Sequence, residues 1–467
     1  MATNNWVTKN SMDNNNATEL LLSPSATVSF ADVAHQTLTF DVNRPSEKLI
    51  LELLGTCWVQ RLRSISQTGN TRQVYMFAEH SRFGHSLGVA YLAVSLMKHL
   101  HKLAPDQVSD YETAVGAAAL LHDIGHVAPG SHLGERLWGG EDNESAGHKG
   151  RHESVGIRVI KGDTDVNRIL RNASPKLPEL VSKILSEDAS LPAWTTAIIS
   201  GGGWNADRGN WAIVDSAMCA VTYGRYNVTA LIDAFRLTED GRMVLHESRI
   251  DALTHFFVAR DSMYRQIYQH RVLQAIDSLT LLIVKRLRFL ITTLSSGIPL
   301  SEELQAIYGI YCDQVMCEAL TSPDYGSQLQ IDTVFQMTEQ WWGYHLQRWC
   351  SAKDSVLRDL SCRLRDRQLF KTIRLEDSGS LEGLISKTKA IASKLGFDPE
   401  YYVALIDELD AHRGKAEPPP MVLRDNGKIV PATEIEPLIA QLLARPDRAR
   451  RWLAVPKEVK EALGRVR

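Results

Sequence analysis

The segment that most constrains this fold is ETAVGAAALLHDIGH, residues 112–126, because it is apolar on nearly all sides yet ends in ionisable residues. A helix that is apolar all round is buried, so this pattern predicts a core in which helices surround helices. His122 and Asp123 stand side by side within the segment. The same sequence that calls for burial therefore carries two groups that are costly to bury alone.

Other parts of the chain repeat the helical pattern. Segments 48–65 (KLILELLGTCWVQRLRSI) and 85–103 (HSLGVAYLAVSLMKHLHKL) place apolar residues three and four apart. Strand patterns are few and short, namely VYMFA at 74–78 and RMVLH at 242–246, and DNGK at 425–428 predicts a hairpin turn. We therefore predict an all-α protein, mostly α with small β appendages.

Composition divides the chain into three parts. Residues 1–45 are rich in Asn, Ser and Thr, which predicts a partly ordered leader. Residues 46–300 carry the apolar helical patterns and form the predicted catalytic core. Residues 301–467 form a predicted C-terminal region, mainly helical with a small β element, to which we assign oligomerisation or regulation.

The bulk properties are those of a soluble globular protein. The apolar fraction is 44%, the charged fraction is 23% and the formal net charge is −3, so nothing global indicates binding to nucleic acid, although a local basic groove is compatible with these values. No apolar run approaches the ~20 residues of a membrane span, and the start lacks the pattern of a signal peptide. The six cysteines are scattered. We predict a cytoplasmic protein with reduced thiols and no membrane partner.

A set of His and Asp residues on separate predicted helices carries the chemistry. His85 opens one helix, His122 and Asp123 lie in the apolar segment, and Asp215 lies in the apolar stretch WAIVDSAMC. A lone His at a helix start is usually a polar cap, but a buried His-Asp pair and a buried Asp leave charges uncompensated unless they bind a metal. Two imidazoles and two carboxylates suit a divalent ion (Mn, Fe, Mg, Co, Ni or Zn) and metal-assisted hydrolysis of phosphate esters.

The order and local context of these residues resemble the HD-domain superfamily, and longer words resemble its deoxynucleoside triphosphate triphosphohydrolases. The matching words, in the family's order, are QRLRSISQTG (60–69), HSRFGHSLGVAYLA (80–93), LLHDIGH (120–126), HESVG (152–156), AIVDSA (212–217) and RDSMYRQIYQH (260–270). This resemblance covers roughly residues 45–290. It implies an HD-domain helical core and the hydrolysis of a deoxynucleoside triphosphate to deoxynucleoside and inorganic triphosphate.

The resemblance also implies roles for single residues. The metal ligands would be His85, His122, Asp123 and Asp215. The catalytic group would comprise the pair His132 and Glu135, with His126 and His152 facing the phosphates. Substrate contacts would come from Arg82, Gln67, Arg260, Tyr268 and Tyr223. In each case an ordinary solvated or core side chain is the alternative interpretation of the residue taken alone.

One stretch departs from the family pattern when it is counted from Asp215. The vertebrate member of this triphosphohydrolase family has a Lys one residue after its metal-binding Asp, a Tyr four residues after it and an Asp eight residues after it, and these contact the phosphate, the sugar ring and a sugar hydroxyl. This chain has Ser216, Cys219 and Tyr223 at those positions. Counted in this way, the sugar-reading carboxylate is replaced, so the preference for deoxynucleotides stays open.

Related enzymes assemble around a nucleotide effector. Arg61 and Arg63 match basic residues of that second site, although the solvated face of an amphipathic helix accounts for them equally well. The resemblance implies a homo-oligomer, a tetramer or hexamer, and the apolar segments 279–294 and 334–349 are its predicted interface.

Three functional hypotheses follow. The first is a triphosphohydrolase that controls or depletes deoxynucleotide pools, for instance in antiviral defence. The second is another HD-type phosphohydrolase, a phosphodiesterase or pyrophosphatase that releases a monophosphate. The third is an inactive nucleotide-sensing protein, against which the complete His and Asp set argues, because keeping it without a metal costs several kcal/mol.

Overall fold

The computed structural model describes residues 26–139, 151–294, 297–375, 381–407, 418–444 and 451–465. Helices dominate these residues, and the strands form three small sheets. The prediction of a mostly α protein with small β appendages is confirmed.

The helices of the first half surround the apolar segment. They are α1 (Pro45–Leu54), α2 (Cys57–Arg61), α3 (Arg82–Leu103), α4 (Pro105–Val108), α5 (Glu112–Leu121), α6 (His132–Trp138), α7 (Arg151–Lys161), α8 (Asp165–Ala173), α9 (Leu177–Leu185), α10 (Ala193–Ala197), α11 (Ala206–Met218) and α12 (Val228–Ala234). Helix α5 contacts α1, α3 and α9 and is buried along most of its length. Its burial follows from its alanine and leucine content.

The helices of the second half continue the same core. They are α13 (Ile250–Met263), α14 (Arg271–Thr292), α15 (Leu300–Tyr308), α16 (Gln314–Thr321), α17 (Ile331–Gln336), α18 (Glu339–Trp349), α19 (Ser355–Arg365), α20 (Leu381–Lys394), α21 (Pro399–Tyr402), α22 (Ala432–Ile435), α23 (Pro437–Leu443) and α24 (Lys457–Arg465). Between α13 and α14 the chain forms one π-helical turn, Tyr264–Tyr268.

Helix α5 ends earlier than the sequence predicts. It stops at Leu121, and His122 is its C-cap residue, so the HD pair lies at the helix end and in the following turn. This placement frees both side chains from the helical face and directs them toward α3 and α11. The two candidate metal ligands His122 and Asp123 therefore lie at the C-terminal end of a buried helix.

The predicted leader contains a folded hairpin. Strands β1 (Thr27–Asp32) and β2 (Gln36–Asp41) pair antiparallel, with Phe30 opposite Leu38. Phe40 is fully buried and packs edge-on against Tyr91 of α3. Within the predicted partly ordered leader, residues 27–41 are thus an ordered hairpin, because alternating apolar residues dock it on the core; residues 1–25 lie outside the described part of the chain.

A second sheet joins two distant parts of the chain. Its strands are β3 (Phe235–Leu237), β4 (Met243–His246), β7 (Met421–Leu423) and β8 (Ile429–Pro431), in the order β3-β4-β7-β8. Strand β4 confirms the prediction at 242–246, and the DNGK turn joins β7 to β8 as expected. The predicted strand at 74–78 is wrong, because these residues form turns after the 3-10 helix Gly69–Gln73 and have no neighbouring strand to pair with among the described residues.

The third sheet forms a separate small core at the C-terminal end. Strand β9 (Arg451–Val455) lies between β5 (Lys371–Leu375) and β6 (Ala404–Asp407), antiparallel to both. Helices α20 and α24 cover it, and its apolar side chains form a cluster of their own. The predicted small β element of the C-terminal region is present.

The apolar C-terminal helices face inward. Leu279, Ile283 and Leu287 of α14 and Trp342 and Trp349 of α18 are all buried within the single chain. Phe289 and Tyr344 of the same two segments are exposed, so a subunit interface there stays a prediction. Oligomerisation itself stays a prediction. Among the described helices, none is both long and apolar enough to cross a bilayer.

Candidate metal centre and its surroundings

Four side chains from three parts of the chain converge at the N-terminal ends of α3 and α11 and the C-terminal end of α5. His85 Nε2 lies 3.1 Å from Asp207 Oδ1 and 3.6 Å from Asp123 Oδ2. His122 Nε2 lies 3.5 Å from Asp123 Oδ1 and 3.7 Å from Asp207 Oδ1. His85, His122 and Asp207 each offer one ligand atom within the spacing that a single cation can bridge. Distances of 3 to 4 Å between such atoms are those expected around a shared ion.

Hydrogen bonds fix both imidazoles for metal binding. His85 Nδ1 lies 2.9 Å from the side-chain oxygen of Asn210, and His122 Nδ1 lies 2.9 Å from the backbone oxygen of Ala119. Each Nδ1 must donate its proton to these oxygens, which leaves each Nε2 as a lone-pair donor. His122 Nε2 is buried and has no hydrogen-bond partner within the described structure. A buried lone pair without a partner, next to carboxylates, fits a cation.

The charges around Asp123 keep it ionised. Burial opposes ionisation, but the nearby Arg82, His122 and His126 hold the pKa of Asp123 well below its usual value. Arg82 Nη1 donates a short hydrogen bond to Asp123 Oδ2. His126 Nε2 lies 3.2 Å from Asp123 Oδ1. Asp123 is thus a permanent carboxylate, as a metal ligand must be.

The structure corrects the position of the second carboxylate. Asp215 does not lie in the group formed by His85 and His122; its place there is taken by Asp207, on the first turn of α11. Asp215 lies two turns further along the helix, where its oxygens accept hydrogen bonds from His80 Nε2 at 2.7 Å and from the Tyr268 hydroxyl. Asp215 was selected from the sequence for its apolar neighbours, whereas Asp207 lies at a polar helix start and keeps 34% of its side chain exposed.

This correction also changes the count of the family pattern. Counted from Asp207, the positions one, four and eight residues on hold Arg208, Trp211 and Asp215. These are a basic, an aromatic and an acidic residue, so the pattern that seemed broken at Ser216 and Cys219 is matched in kind. The sequence signal that identifies Asp207 is this spacing of basic, aromatic and acidic residues. It was missed because the neighbours of Asp215 are more apolar and drew the assignment to that residue.

A second group of ionisable residues lies beside the first. Glu135 is buried and shares its carboxylate between two histidines: Oε1 makes a short hydrogen bond with His152 Nδ1, and Oε2 lies 3.6 Å from His132 Nδ1. The His152 ring stacks on His126 with centroids 4.0 Å apart. His132 is 59% exposed, at the first position of α6. The structure therefore brings together all four residues of the predicted catalytic group.

Their protonation states differ. Burial would lower the pKa of His152, but the carboxylates of Glu135 and Glu153 outweigh it and raise the pKa to about 9. Burial and the positive charges of Arg82 and His152 lower the pKa of His126 well below its usual value. Burial opposes ionisation of Glu135, but His152 and His132 hold its pKa low. Near neutral pH the group presents a cationic His152 stacked on a neutral His126.

The predicted substrate residues are distributed unevenly. Gln67 is buried, and its side-chain oxygen has no hydrogen-bond partner among the described residues. Tyr268 packs edge-on against Trp211, and Arg260 lies over the ring of Tyr264 at 5.6 Å. Tyr223 is exposed in the loop after α11. Because Tyr223 was chosen only by counting from Asp215, the corrected count removes the reason for its assignment.

The two arginines of the predicted effector site behave differently. Arg61 is buried, and its guanidinium donates to the backbone oxygens of four residues: His126, Val334, Phe335 and Met337. These bonds occupy the guanidinium, so Arg61 is not available to a nucleotide, and its assignment to an effector site is wrong. Arg63 is exposed and lies over the ring of Phe83 at 3.6 Å.

Residues from the C-terminal region support the site loops, which the sequence did not indicate. Glu339 Oε1 accepts hydrogen bonds from the backbone N–H of Gly130 at 2.6 Å and of Ser66 at 3.2 Å. The Met337 oxygen accepts from Ala128 N–H at 3.0 Å. A boundary near residue 300 therefore does not separate the site from the region that follows it.

Comparison with known proteins agrees with this geometry. A family model described as HD domain matches residues 82–189, the stretch that contains His85, His122 and Asp123. The chain therefore contains an HD domain over residues 82–189. The HD domain and the ligand geometry together indicate a divalent metal ion as the cofactor of this chain.

Sequence relatives match the HD-domain chain over different lengths. It is 29% identical to the uncharacterized protein YwfO of Bacillus subtilis over 364 residues, which are 78% of this chain and 77% of that protein. It is 33% identical to the deoxynucleoside triphosphate triphosphohydrolase of Danio rerio over 136 residues, which are 28% of this chain and 21% of that enzyme. The chain thus spans only a minor part of the vertebrate enzyme.

Solved structures share the fold. A phosphohydrolase from Bacteroides thetaiotaomicron superimposes with a TM-score of 0.75 at 21% identity, covering 92% of this chain and 100% of that one. A hypothetical protein from Aquifex aeolicus gives a TM-score of 0.66 at 23% identity, covering 95% and 100%. At these identities the likeness shows that the HD-domain chain has the same architecture as both.

Proposed function

We propose that this HD-domain protein hydrolyses deoxynucleoside triphosphates to deoxynucleoside and inorganic triphosphate, and so controls or depletes deoxynucleotide pools. The observation that carries the proposal is the corrected ligand set, with a group of histidines and Glu135 on one side of it and an aromatic and acidic group on the other. The partial similarity to the Danio rerio triphosphohydrolase supports the choice of substrate class.

The metal would be held by His85, His122, Asp123 and Asp207. A divalent ion held by these residues would supply Lewis-acid activation of the phosphate ester and of the attacking water. Among the candidate metals, the mixed nitrogen and oxygen ligands suit Mn, Fe, Co, Ni or Zn, with Mg still compatible.

The phosphate chain would lie against positive and neutral hydrogen-bond donors. Arg82 is held at Asp123, and its Nε is buried without a partner among the described residues, so it remains able to donate to an anion. The cationic His152 lies in the next layer, stacked on His126. Guanidinium and imidazolium groups that are already in place stabilise the charge that develops on phosphate oxygens.

The sugar would lie on the side of α11 that carries Trp211 and Asp215. Trp211 contacts the rings of Tyr264 and Tyr268 edge-on, which forms an aromatic wall one turn from Asp207. A carboxylate such as Asp215, already bonded to the Tyr268 hydroxyl, can accept a further hydrogen bond from a sugar hydroxyl. This arrangement restores the sugar-reading carboxylate that counting from Asp215 had removed.

Proton transfer would fall to His132. Water attacks the α-phosphorus, the bond from that phosphorus to the 5′-oxygen breaks, and the departing oxygen takes up a proton. His132 is exposed, and Glu135 Oε2 lies 3.6 Å from its Nδ1, so the doubly protonated ring would be the acid and the proton on Nε2 the one transferred. A carboxylate that orients an imidazole in this way is suited to general acid catalysis.

Product analysis tests the proposal. The Mn²⁺-loaded protein is incubated with each dNTP and each NTP, alone and in mixtures, and the products are separated by ion-exchange chromatography. Deoxynucleoside plus triphosphate is expected, and turnover confined to mixtures would indicate a nucleotide effector. Monophosphate products would instead show a different phosphohydrolase, and absence of turnover with every metal and nucleotide would refute the proposal.

A further inference from the structure

The tip of the N-terminal hairpin reaches the layer of residues behind the metal ligands. His35 follows β1, and its Nε2 lies 3.2 Å from Asn210 Nδ2. The other end of the same amide, Asn210 Oδ1, lies 2.9 Å from Nδ1 of the ligand His85. One buried amide therefore links a hairpin residue to a metal ligand 50 residues further along the chain.

The direction of each hydrogen bond follows from the ligand. If His85 Nε2 binds the cation, His85 Nδ1 carries the proton and must donate it. Asn210 must then present its oxygen to His85, so its NH₂ group points the other way. The group that faces this NH₂ must be an acceptor, and His35 Nε2 is the atom in that place. The acceptor atom of His35 therefore favours the orientation of the Asn210 amide in which Oδ1 faces His85, over the flipped orientation in which Nδ2 would face it.

The surroundings hold this arrangement in place. Asn210 is fully buried, and Gly88 of α3 leaves room for it, since a Cβ there would lie 2.1 Å from Asn210 Nδ2. The His35 ring packs against Tyr91 with centroids 5.6 Å apart. Asp32 Oδ1 accepts from the backbone N–H of Ala34 and of His35, which fixes the hairpin turn.

We propose that His35 is a positioning residue of the metal centre. By accepting from Asn210 Nδ2 it holds the amide with Oδ1 toward His85, and this keeps the His85 Nε2 lone pair directed at the cation. The inference rests on the ligand set of the proposed function, but it does not depend on which phosphate ester is the substrate. The hairpin is accordingly part of the metal site and not a separate appendage.

The test measures metal retention in the full-length protein. Purified protein is loaded with Mn²⁺, transferred to excess EDTA, and desalted at intervals, and its metal content is determined by mass spectrometry. His35→Phe keeps a ring against Tyr91 but removes the acceptor, and it should lose Mn²⁺ about tenfold faster, the lower end of the effect seen for groups behind a ligand. His35→Gln supplies a side-chain oxygen in its place and should stay within about twofold of the wild type.

His255→Phe is the matched control, because His255 is exposed on α13, away from the hairpin. Loss of Mn²⁺ from His35→Phe at the wild-type rate would overturn the inference, as would an equally fast loss from a folded His35→Gln. If His35→Phe does not fold, His35→Ala takes its place in the same comparison. No step of this test measures turnover. If the protein hydrolyses no nucleotide but only His35→Phe loses Mn²⁺ faster, the proposed function is refuted and the role of His35 is supported.

Discussion

Asp207 and Asp215 illustrate how one helix separates two kinds of carboxylate. Asp207 lies on the first turn of α11, where it faces His85 and His122. Asp215 lies eight residues later and is bonded to His80 and Tyr268. The sequence identified three of the four clustered residues, because burying an adjacent His and Asp among apolar residues is costly unless a metal binds them. It misplaced the fourth, because the cost of burying a charge depends on its partners, and these come from distant parts of the chain.

The two aspartates should therefore respond differently to loss of charge. We expect Asp207→Asn to lower bound Mn²⁺ by at least about tenfold at micromolar metal, since it removes an anionic ligand. Asp215→Asn should retain the metal and instead raise KM for a deoxynucleotide, since it alters only the sugar side of the site. Metal analysis and steady-state kinetics on both variants check this, and equal loss of metal from the two would contradict the assignment.

At the scale of elements, α3 and α11 approach each other closely only because α3 has a glycine at the contact. A Cβ on Gly88 would lie 2.1 Å from Asn210, whereas one on Gly84 of the same helix would meet nothing within 4 Å. The sequence predicted α3 from its apolar spacing, but a glycine within a helix does not reveal which neighbour needs the space. The spacing of apolar residues predicts that a helix is present more reliably than it predicts where the helix ends or which element packs against it. The early end of α5 is a second example.

Substituting the two glycines should separate helix propensity from packing. Gly88→Ala should lower the free energy of unfolding by about 2 kcal/mol, because the added methyl group forces Asn210 away from α3. Gly84→Ala should leave it unchanged or raise it by up to ~1 kcal/mol, because alanine favours the helix. Urea denaturation of both variants gives these values, and a Gly88→Ala protein as stable as the wild type would show that the helices separate without cost.

At the scale of the whole molecule, long-range polar contacts hold the site loops to later helices. Asn70, in the segment after Gln67, donates to Asp277 of α14 at 2.9 Å and to Thr280 at 3.2 Å. Burial raises the pKa of Asp277 to about 6, partly offset by Asn70 and Arg136. None of these pairings is visible in the sequence, because the partners are some two hundred residues apart and have no common motif.

The shift at Asp277 predicts how stability depends on pH. With a pKa of about 6 in the folded protein and near 4 in the unfolded chain, the folded state holds the extra proton between these values. Stability from this group therefore falls as the pH rises from 4 to 6 and stays reduced above 6. Asp277→Asn should raise Tm at pH 8 and change it little at pH 4, as measured by thermal denaturation, and an equal change at both values would contradict the shift.

Arg61 and Glu339 have a consequence for anyone who shortens this protein. The HD match ends at residue 189, yet the loops that carry Gln67 and His126 are held by backbone and side-chain atoms from residues 334–339. A fragment cut at the end of the match would expose the Arg61 guanidinium without its acceptors and release both loops. The shortest fragment that keeps these loops in place has to extend beyond Glu339, so the unit that folds around the metal centre is far longer than the matched HD domain.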